Sequence, residues 1–295
     1  MSQNEPWSIG RLLTWTTDFL KKHGSASPRL EAELLLAHAC NCERIGLYTR
    51  LEELVEEDTR GRFRELVKRR SEGTPVAYLL GRREFYSLPF LVTADVLIPR
   101  PETEFAVVAV LDRLKERAAD APPPHIIDVG TGSGAIAVTI AKYATQAVLT
   151  AVDVSEAALA VARNNAEKNE VADRINFLHS DLLSAVPTPE KFDIVVSNPP
   201  YVSRAEYEGL SSEVQKYEPK LALVGGETGT EIIARLATRA AERLHSGGWL
   251  IMEISPMIES RVRELLSSAG RWEKIQVTKD LAGLARIVQA RFIGA

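Results

Sequence analysis

The residues with the clearest chemical capacity are Asn198-Pro199-Pro200-Tyr201. An asparagine offers an amide oxygen that accepts hydrogen bonds. Two prolines fix the backbone beside it and leave carbonyls without a competing N–H on either proline. Tyrosine adds a flat ring with a polar tip. Together they form a rigid polar cradle suited to a planar –NH2 group. Such a nitrogen is a poor nucleophile because its lone pair is delocalised. Asn198 Oδ1 and the Pro199 carbonyl can accept its two hydrogens, and Tyr201 can pack on its planar face. That chemistry requires positioning and no metal or nucleophilic side chain. An isolated Asn-Pro, by contrast, marks no more than a turn.

A second constellation lies upstream. Asp128-Val129 precedes Gly130-Thr131-Gly132-Ser133-Gly134, and Asp153 ends the next apolar run. Glycines after a first strand let the backbone turn sharply and come close to a ligand. An acid at the end of the second strand can accept both hydroxyls of a ribose. The spacing of Gly130, Gly132 and Ala135 meets the dinucleotide fingerprint, which does not separate NAD from S-adenosylmethionine. Nothing downstream supplies the acid/base group that hydride transfer needs. His23, His38, His125, His179 and His245 show no ligand spacing, so no metal site is expected.

These residues need a scaffold. From residue 125 onward, strand and helix patterns alternate, the signature of an α/β domain with a mostly parallel sheet. Strands are predicted at 126–129, 148–152, 175–178, 192–196, 249–254, 273–278 and 285–292, seven in all. Helices are predicted at 135–143, 155–168, 228–244 and 257–268. Asn198 then stands at the carboxyl end of the fourth strand, where open α/β sheets bind ligands. Asp181, with Leu182, follows the third strand.

The chain before residue 75 reads as helices only. Ile9, Leu12, Leu13, Phe19 and Leu20 form one apolar stripe, and Ser27-Pro28 reads as an N-cap with proline at N1. Residues 76–100 read as short strands in a hairpin, including Tyr78-Leu79-Leu80 and Val96-Leu97-Ile98. Thr103 reads as a helix cap, and Arg100, held between two prolines, as more than surface filler. The expected division is a helical bundle over 1–74, a hairpin linker over 75–100 and a catalytic domain over 101–295.

The 295 residues carry a net charge of −4, so no basic field draws the whole chain to nucleic acid. Arg60, Arg62, Arg64, Lys68, Arg69 and Arg70 cluster, but residues 1–75 hold 12 Lys and Arg against 12 Asp and Glu. The cluster therefore reads as a solvated helix face. No apolar run reaches membrane-span length, and Met1 to Gly10 lacks a signal-peptide pattern. Cys40 and Cys42 are the only cysteines, and their spacing suits neither a disulfide nor a four-ligand zinc site. A reduced, cytoplasmic protein is expected.

Asp-Val-Gly-Thr-Gly-Ser-Gly at 128–134 resembles the first motif of class I S-adenosylmethionine-dependent methyltransferases, a Rossmann-like fold. The likeness tightens with Pro99-Arg100-Pro101-Glu102-Thr103-Glu104, Asn198-Pro199-Pro200-Tyr201, Tyr217-Glu218-Pro219, Gly225-Gly226-Glu227-Thr228-Gly229 and the helical stretch Ser27 to Leu35. This combination resembles the HemK/PrmC family across nearly the whole chain. The loop after Gly226 departs from the family pattern, with Glu227-Thr228 where an Asp is common nearby. The resemblance implies methylation of N5 of the glutamine in the Gly-Gly-Gln motif of class-one peptide chain release factors. It implies S-adenosyl-L-methionine held by Asp128, Gly130, Thr131, Gly132, Ser133, Gly134, Asp153, Asp181, Leu182 and Asn198. It implies catalysis by Asn198, Pro199 and Tyr201, with Pro200, Arg100 and Glu102 also meeting the substrate. The helical domain would contact the release factor, with no direct nucleic-acid binding, no membrane association and a monomeric chain.

Two other functions fit parts of the pattern. An adenine-N6 methyltransferase uses the same tetrapeptide but needs a basic surface and room for a flipped base; the neutral N-terminal segment and the net charge oppose it. A binding module without chemistry keeps the fold, but intact Asp128, Asp153 and Asn198 oppose that.

Overall fold

A computed structural model describes residues 6–118 and 120–294. Residues 1–5, part of the stretch read for a leader pattern, lie outside the described residues, as do 119 and 295. The chain forms two compact units, one ending at Gly81 and one starting at Arg82.

The first unit contains α1 (Ile9–Lys22), α2 (Pro28–Ala39), α3 (Arg44–Tyr48), α4 (Glu57–Ser71) and α5 (Val76–Leu80). Ser8 caps α1 through its side chain, which accepts from the Arg11 N–H. Ser27 occupies the N-cap of α2 with Pro28 next, but its hydroxyl makes no capping bond. Leu13, Leu35, Leu36 and Leu47 are fully buried at the centre. Each such side chain contributes about 1.5–3 kcal/mol of burial. Glu33 is buried among them, accepting from Arg29 Nε at 2.6 Å, Arg44 at 2.7 Å and the Tyr48 hydroxyl. The basic cluster is largely solvated, as expected: Arg62, Arg64, Lys68 and Arg69 are exposed. Arg70 makes a two-pronged ion pair with Glu31, at 2.8 and 3.1 Å, and Arg62 donates to the Ala39 carbonyl. Arg70 is half-buried, and its ion pair with Glu31 offsets that desolvation.

Tyr78–Leu80 belongs to a helix, not a strand. Pro75 caps α5, and Gly81 ends it in the left-handed conformation. A short apolar run carries no periodicity by which to tell the two apart.

The second unit opens with the hairpin β1 (Arg82–Phe85) and β2 (Leu88–Leu91). Val96–Ile98 forms no strand; the Val96 N–H closes a turn onto the Thr93 carbonyl at 3.2 Å, and Pro99 just beyond offers no ladder donor. After α6 (Glu104–Lys115) come β3 (His125–Val129), α7 (Ala135–Tyr143), β4 (Val148–Asp153), α8 (Glu156–Lys168), β5 (Ile175–His179) and β6 (Phe192–Ser197). The chain continues through β7 (Val202–Ser203), α9 (Arg204–Glu208), α10 (Ser212–Tyr217), β8 (Val224–Gly226) and α11 (Glu231–Arg243). It closes with β9 (Leu244–Glu253), α12 (Glu259–Ser268), β10 (Trp272–Lys279) and β11 (Ala285–Phe292). The fifth predicted strand starts earlier than expected, because Gly247 and Gly248 lie within β9 instead of before it.

Seven strands form one sheet in the order β10-β11-β9-β6-β3-β4-β5, with β11 running against the other six. The predicted count and parallel character hold. Apolar clusters cover both faces of the sheet, as a parallel sheet requires. Phe85 and Phe90 of the hairpin are buried in one of them. Asn165 of α8 fastens the hairpin, accepting from the Leu91 N–H at 2.6 Å and donating to the Leu91 carbonyl at 2.9 Å and the Ser133 carbonyl at 2.8 Å.

Candidate functional site

The carboxyl ends of β3, β4, β5 and β6 surround a cavity of about 380 Å³. That volume falls within the range of small-molecule sites. The glycine loop forms its floor. Gly130 and Gly132 have φ of +71° and +55°, and a Cβ added to either meets no atom within 4 Å. Glycine therefore serves two purposes there: it adopts the left-handed turn and keeps the space above it open. Thr131 and Ser133 also line the cavity. Gly134 does not; it packs against Ala162 of α8.

Asp153 lines the cavity at the end of β4. Its carboxylate accepts from the Gly132 N–H at 2.8 Å and the Ser155 N–H at 2.9 Å. Burial pushes this carboxyl above its ordinary pKa, and those backbone donors pull it back. Asp128 sits one layer below. It is fully buried, and its Oδ2 accepts from Thr131 Oγ1 at 2.7 Å and the Ala137 N–H at 3.2 Å. Its Oδ1 has no partner. Burial lifts this carboxyl to about 7. Asp128 thus braces the loop and does not line the cavity. Asp181 and Leu182 do line it, and Asp181 pairs with Arg235 of α11 at 2.6 Å.

Asn198 and Pro200 line the opposite wall. Asn198 Nδ2 donates to Thr103 Oγ1 at 3.1 Å. Thr103 Oγ1 in turn donates to Glu253 Oε2 at 2.6 Å, and the Tyr201 hydroxyl donates to Glu253 Oε1 at 3.0 Å. Burial raises the Glu253 carboxyl, opposed by the Thr103 and Tyr201 hydrogen bonds. It also raises the Tyr201 hydroxyl, helped by the Glu253 charge. Thr103 does stand at the start of α6, but its hydroxyl caps nothing. The carboxylate of Glu253 outcompetes backbone amides for it. Tyr201 is half-buried and Pro199 buried, and neither lines the cavity.

Arg100 lines the cavity and is held by Glu218 at 2.5 Å. Glu102 lies elsewhere, 3.8 Å from Arg286, which is itself tied to Asp280 at 2.7 Å. The loop Gly225 to Gly229 clasps the tetrapeptide from outside. Val202 pairs with Val224, and the Val202 N–H bonds to the Leu223 carbonyl at 2.9 Å.

Sequence reasoning missed the partnership of Thr103 and Glu253. The available signal was a carboxylate inside the apolar run Trp249 to Ile254, which is costly to bury without partners. Among the described residues no group of His, Cys, Asp and Glu is placed to hold a metal, and no helix is long and apolar enough to cross a membrane.

Residues 11–81 match the PrmC N-terminal domain family, and residues 105–213 match the methyltransferase small domain family. A release factor glutamine methyltransferase from Rhodopirellula baltica is 50% identical over 287 residues, 97% of each chain. The chain belongs to the release factor glutamine methyltransferase family. A second member, from Koribacter versatilis, is 43% identical and covers 92% of this chain and 94% of its own. Solved structures extend the likeness at the level of fold. The hMettl16 catalytic domain superposes with a TM-score of 0.58 at 17% identity, covering 78% of this chain and 81% of that one. A methyltransferase from Pyrococcus furiosus gives a TM-score of 0.51 at 19% identity, with 72% and 91% covered. As a family member the chain has the class I methyltransferase fold in its second unit.

The residues present fit the cofactor such a methyltransferase uses. The glycine floor is open, an acid stands at the end of β4 and the apolar Leu182 flanks the far side.

Proposed function

We propose that this enzyme methylates N5 of the glutamine in the Gly-Gly-Gln motif of class-one peptide chain release factors. The methyl donor is S-adenosyl-L-methionine. The observation that carries the reading is one continuous cavity bounded by Asp153 on one side and Asn198 on the other.

Asp153 would accept the ribose hydroxyls, and the backbone of Gly130 to Ser133 would hold the rest of the cofactor. Asp181 and Leu182 would flank the adenine. Asp128 acts from beneath, holding Thr131 and so the loop. The bound cofactor supplies a sulfonium whose methyl carbon is electrophilic and whose departing form is a neutral thioether. Asn198 Oδ1, on the cavity wall, would accept one N–H of the glutamine amide, and the adjoining Pro199 carbonyl is assigned the second even though Pro199 is buried and does not line the cavity. That draws density onto nitrogen and holds it in line with the methyl group. Transfer would form the N–C bond as the sulfonium's S–C bond breaks, leaving the neutral thioether, and the amide would lose one proton to water. Tyr201, anchored on Glu253, stiffens the loop that carries Asn198. Arg100 meets the substrate at the rim. Glu102 lies outside the cavity, 3.8 Å from Arg286, and would meet the protein substrate only beyond it.

The N-terminal unit docks the protein substrate. A glutamine side chain alone is too small to select one protein, since a standard interface buries about 1,600 Å². Support comes from an aromatic series on α1 and just before it. Trp15 stacks on Phe19 at 5.0 Å and meets Trp7 edge-on at 6.4 Å, and Trp15 remains 47% exposed. On this reading the enzyme works as a monomer in the cytoplasm, where its substrate acts.

The test is methyl transfer from labelled cofactor to a purified class-one release factor, followed by peptide mapping. Label on the Gly-Gly-Gln glutamine is expected. Label on another residue, or on nucleic acid alone, overturns the reading.

A further inference from the structure

An amide side chain has two chemically opposite ends, and either can face a ligand. In this site the choice is made two residues away from the acceptor. Glu253 is 2% exposed. Thr103 and Tyr201 both donate to it, and these hydrogen bonds oppose the rise that burial imposes on its carboxyl, so it serves here as the acceptor. Both oxygens are engaged, by Thr103 at 2.6 Å and Tyr201 at 3.0 Å. The single hydroxyl proton of Thr103 is thereby committed. Thr103 Oγ1 is left with lone pairs, and it takes a hydrogen from Asn198 Nδ2 at 3.1 Å. The direction of donation therefore runs from Asn198 to Thr103 to Glu253. Reversing Asn198 sets its oxygen against the lone pairs of Thr103 and forfeits that hydrogen bond.

We propose that Glu253, acting through Thr103, is a positioning residue that fixes which end of the Asn198 amide meets the acceptor, so that the site selects an amide nitrogen and rejects an oxygen. The proposal rests on the reading of Asn198 as the acceptor-binding residue. With Nδ2 held by Thr103, Oδ1 is the end that accepts. It welcomes an –NH2 group and repels a carboxylate. A reversed Asn198 donates instead. It then binds the carbonyl oxygen of glutamine and turns the nitrogen away from the methyl group. A glutamate in place of the glutamine becomes a good ligand. The network thus sets both the productive register and the discrimination between glutamine and glutamate.

Thr103→Val keeps the shape and removes the relay. Glu253→Gln keeps the shape but has a donor and an acceptor end, so the direction of donation is no longer imposed. Thr103→Ser keeps the hydroxyl. The measurements are kcat and KM on a purified release factor, and the inhibition constant of the same factor with its glutamine changed to glutamate. Melting temperature and S-adenosylhomocysteine affinity are measured alongside. Thr103→Val and Glu253→Gln are expected to lower kcat on the order of 10²-fold, the cost of a misplaced reacting group. The glutamate factor is expected to inhibit both variants more strongly than the parent, and Thr103→Ser to recover most of the lost rate. Parent-like kcat in both variants, or a lost rate with unchanged glutamate discrimination, overturns the proposal. A parent enzyme that does not label the glutamine overturns the reading beneath it, which is a separate result from any variant.

Discussion

A Cβ on Gly225 would lie 2.3 Å from the Pro200 carbonyl oxygen. No side chain fits in that gap, so the glycine is what lets β8 lie against the tetrapeptide. Gly225→Ala should push Pro200 away and displace Asn198 with it. A misplacement near 1 Å costs on the order of 10²-fold in rate. Steady-state kinetics and a thermal melt check this. A folded variant with parental kcat would show that the loop yields without moving the site.

Asn198→Ala removes the hydrogen-bond acceptor from the cavity wall. Methyl transfer should fall by roughly 10²–10³, the usual loss for one preorganised polar contact. Affinity for S-adenosylhomocysteine should change far less. Near-normal turnover rules out the assigned role.

Asp153→Ala should act in the opposite order, on the cofactor first. Two hydrogen bonds to a charged acceptor, each worth roughly 1.5–3 kcal/mol, are lost. The Gly132 N–H also loses its partner. Calorimetry with S-adenosylhomocysteine reads the dissociation constant directly. An unchanged value makes Asp153 a strand-end residue and nothing more.

Asp128 ties stability to pH. Burial lifts its carboxyl from 3.8 to about 7, so the folded chain keeps a proton that the unfolded chain releases near 4. Folding binds that proton across the window, and stability falls as pH rises from about 4 to about 7. The slope is up to about 1.4 kcal/mol per pH unit. Asp128→Asn does not titrate, so its stability should drop less between pH 5 and pH 8 than the parent's. Denaturant midpoints at both values decide it; parallel losses in the two proteins would mean that Asp128 stays ionised.

A chain beginning at Arg82 keeps the cavity and every residue lining it. If circular dichroism shows it folded, it should bind S-adenosylhomocysteine as the full chain does. Its KM for intact release factor should rise sharply, with a smaller effect on a short Gly-Gly-Gln peptide. Full kcat/KM on intact release factor would make the N-terminal unit a stabilising cap.

The local features were legible in the sequence because they depend on neighbours in the chain. Alternating apolar runs marked seven strands, and the glycines after β3 marked a loop that must turn sharply. Asn198 after an apolar strand stood where ligands bind, because a parallel sheet presents its strand ends on one edge. Tyr78 to Leu80 misled, since a run of that length has no period and Gly81 alone closed it as a helix. Only the tertiary structure decided how Asn198 is oriented. Thr103 and Glu253 are 150 positions apart in the chain, and sequence periodicity carries no information about which hydroxyl a distant carboxylate will claim. Only the folded chain showed that Asp128 lies beneath the cavity while Asp153 faces it, because burial depends on the layers packed above a strand and not on the strand's own residues.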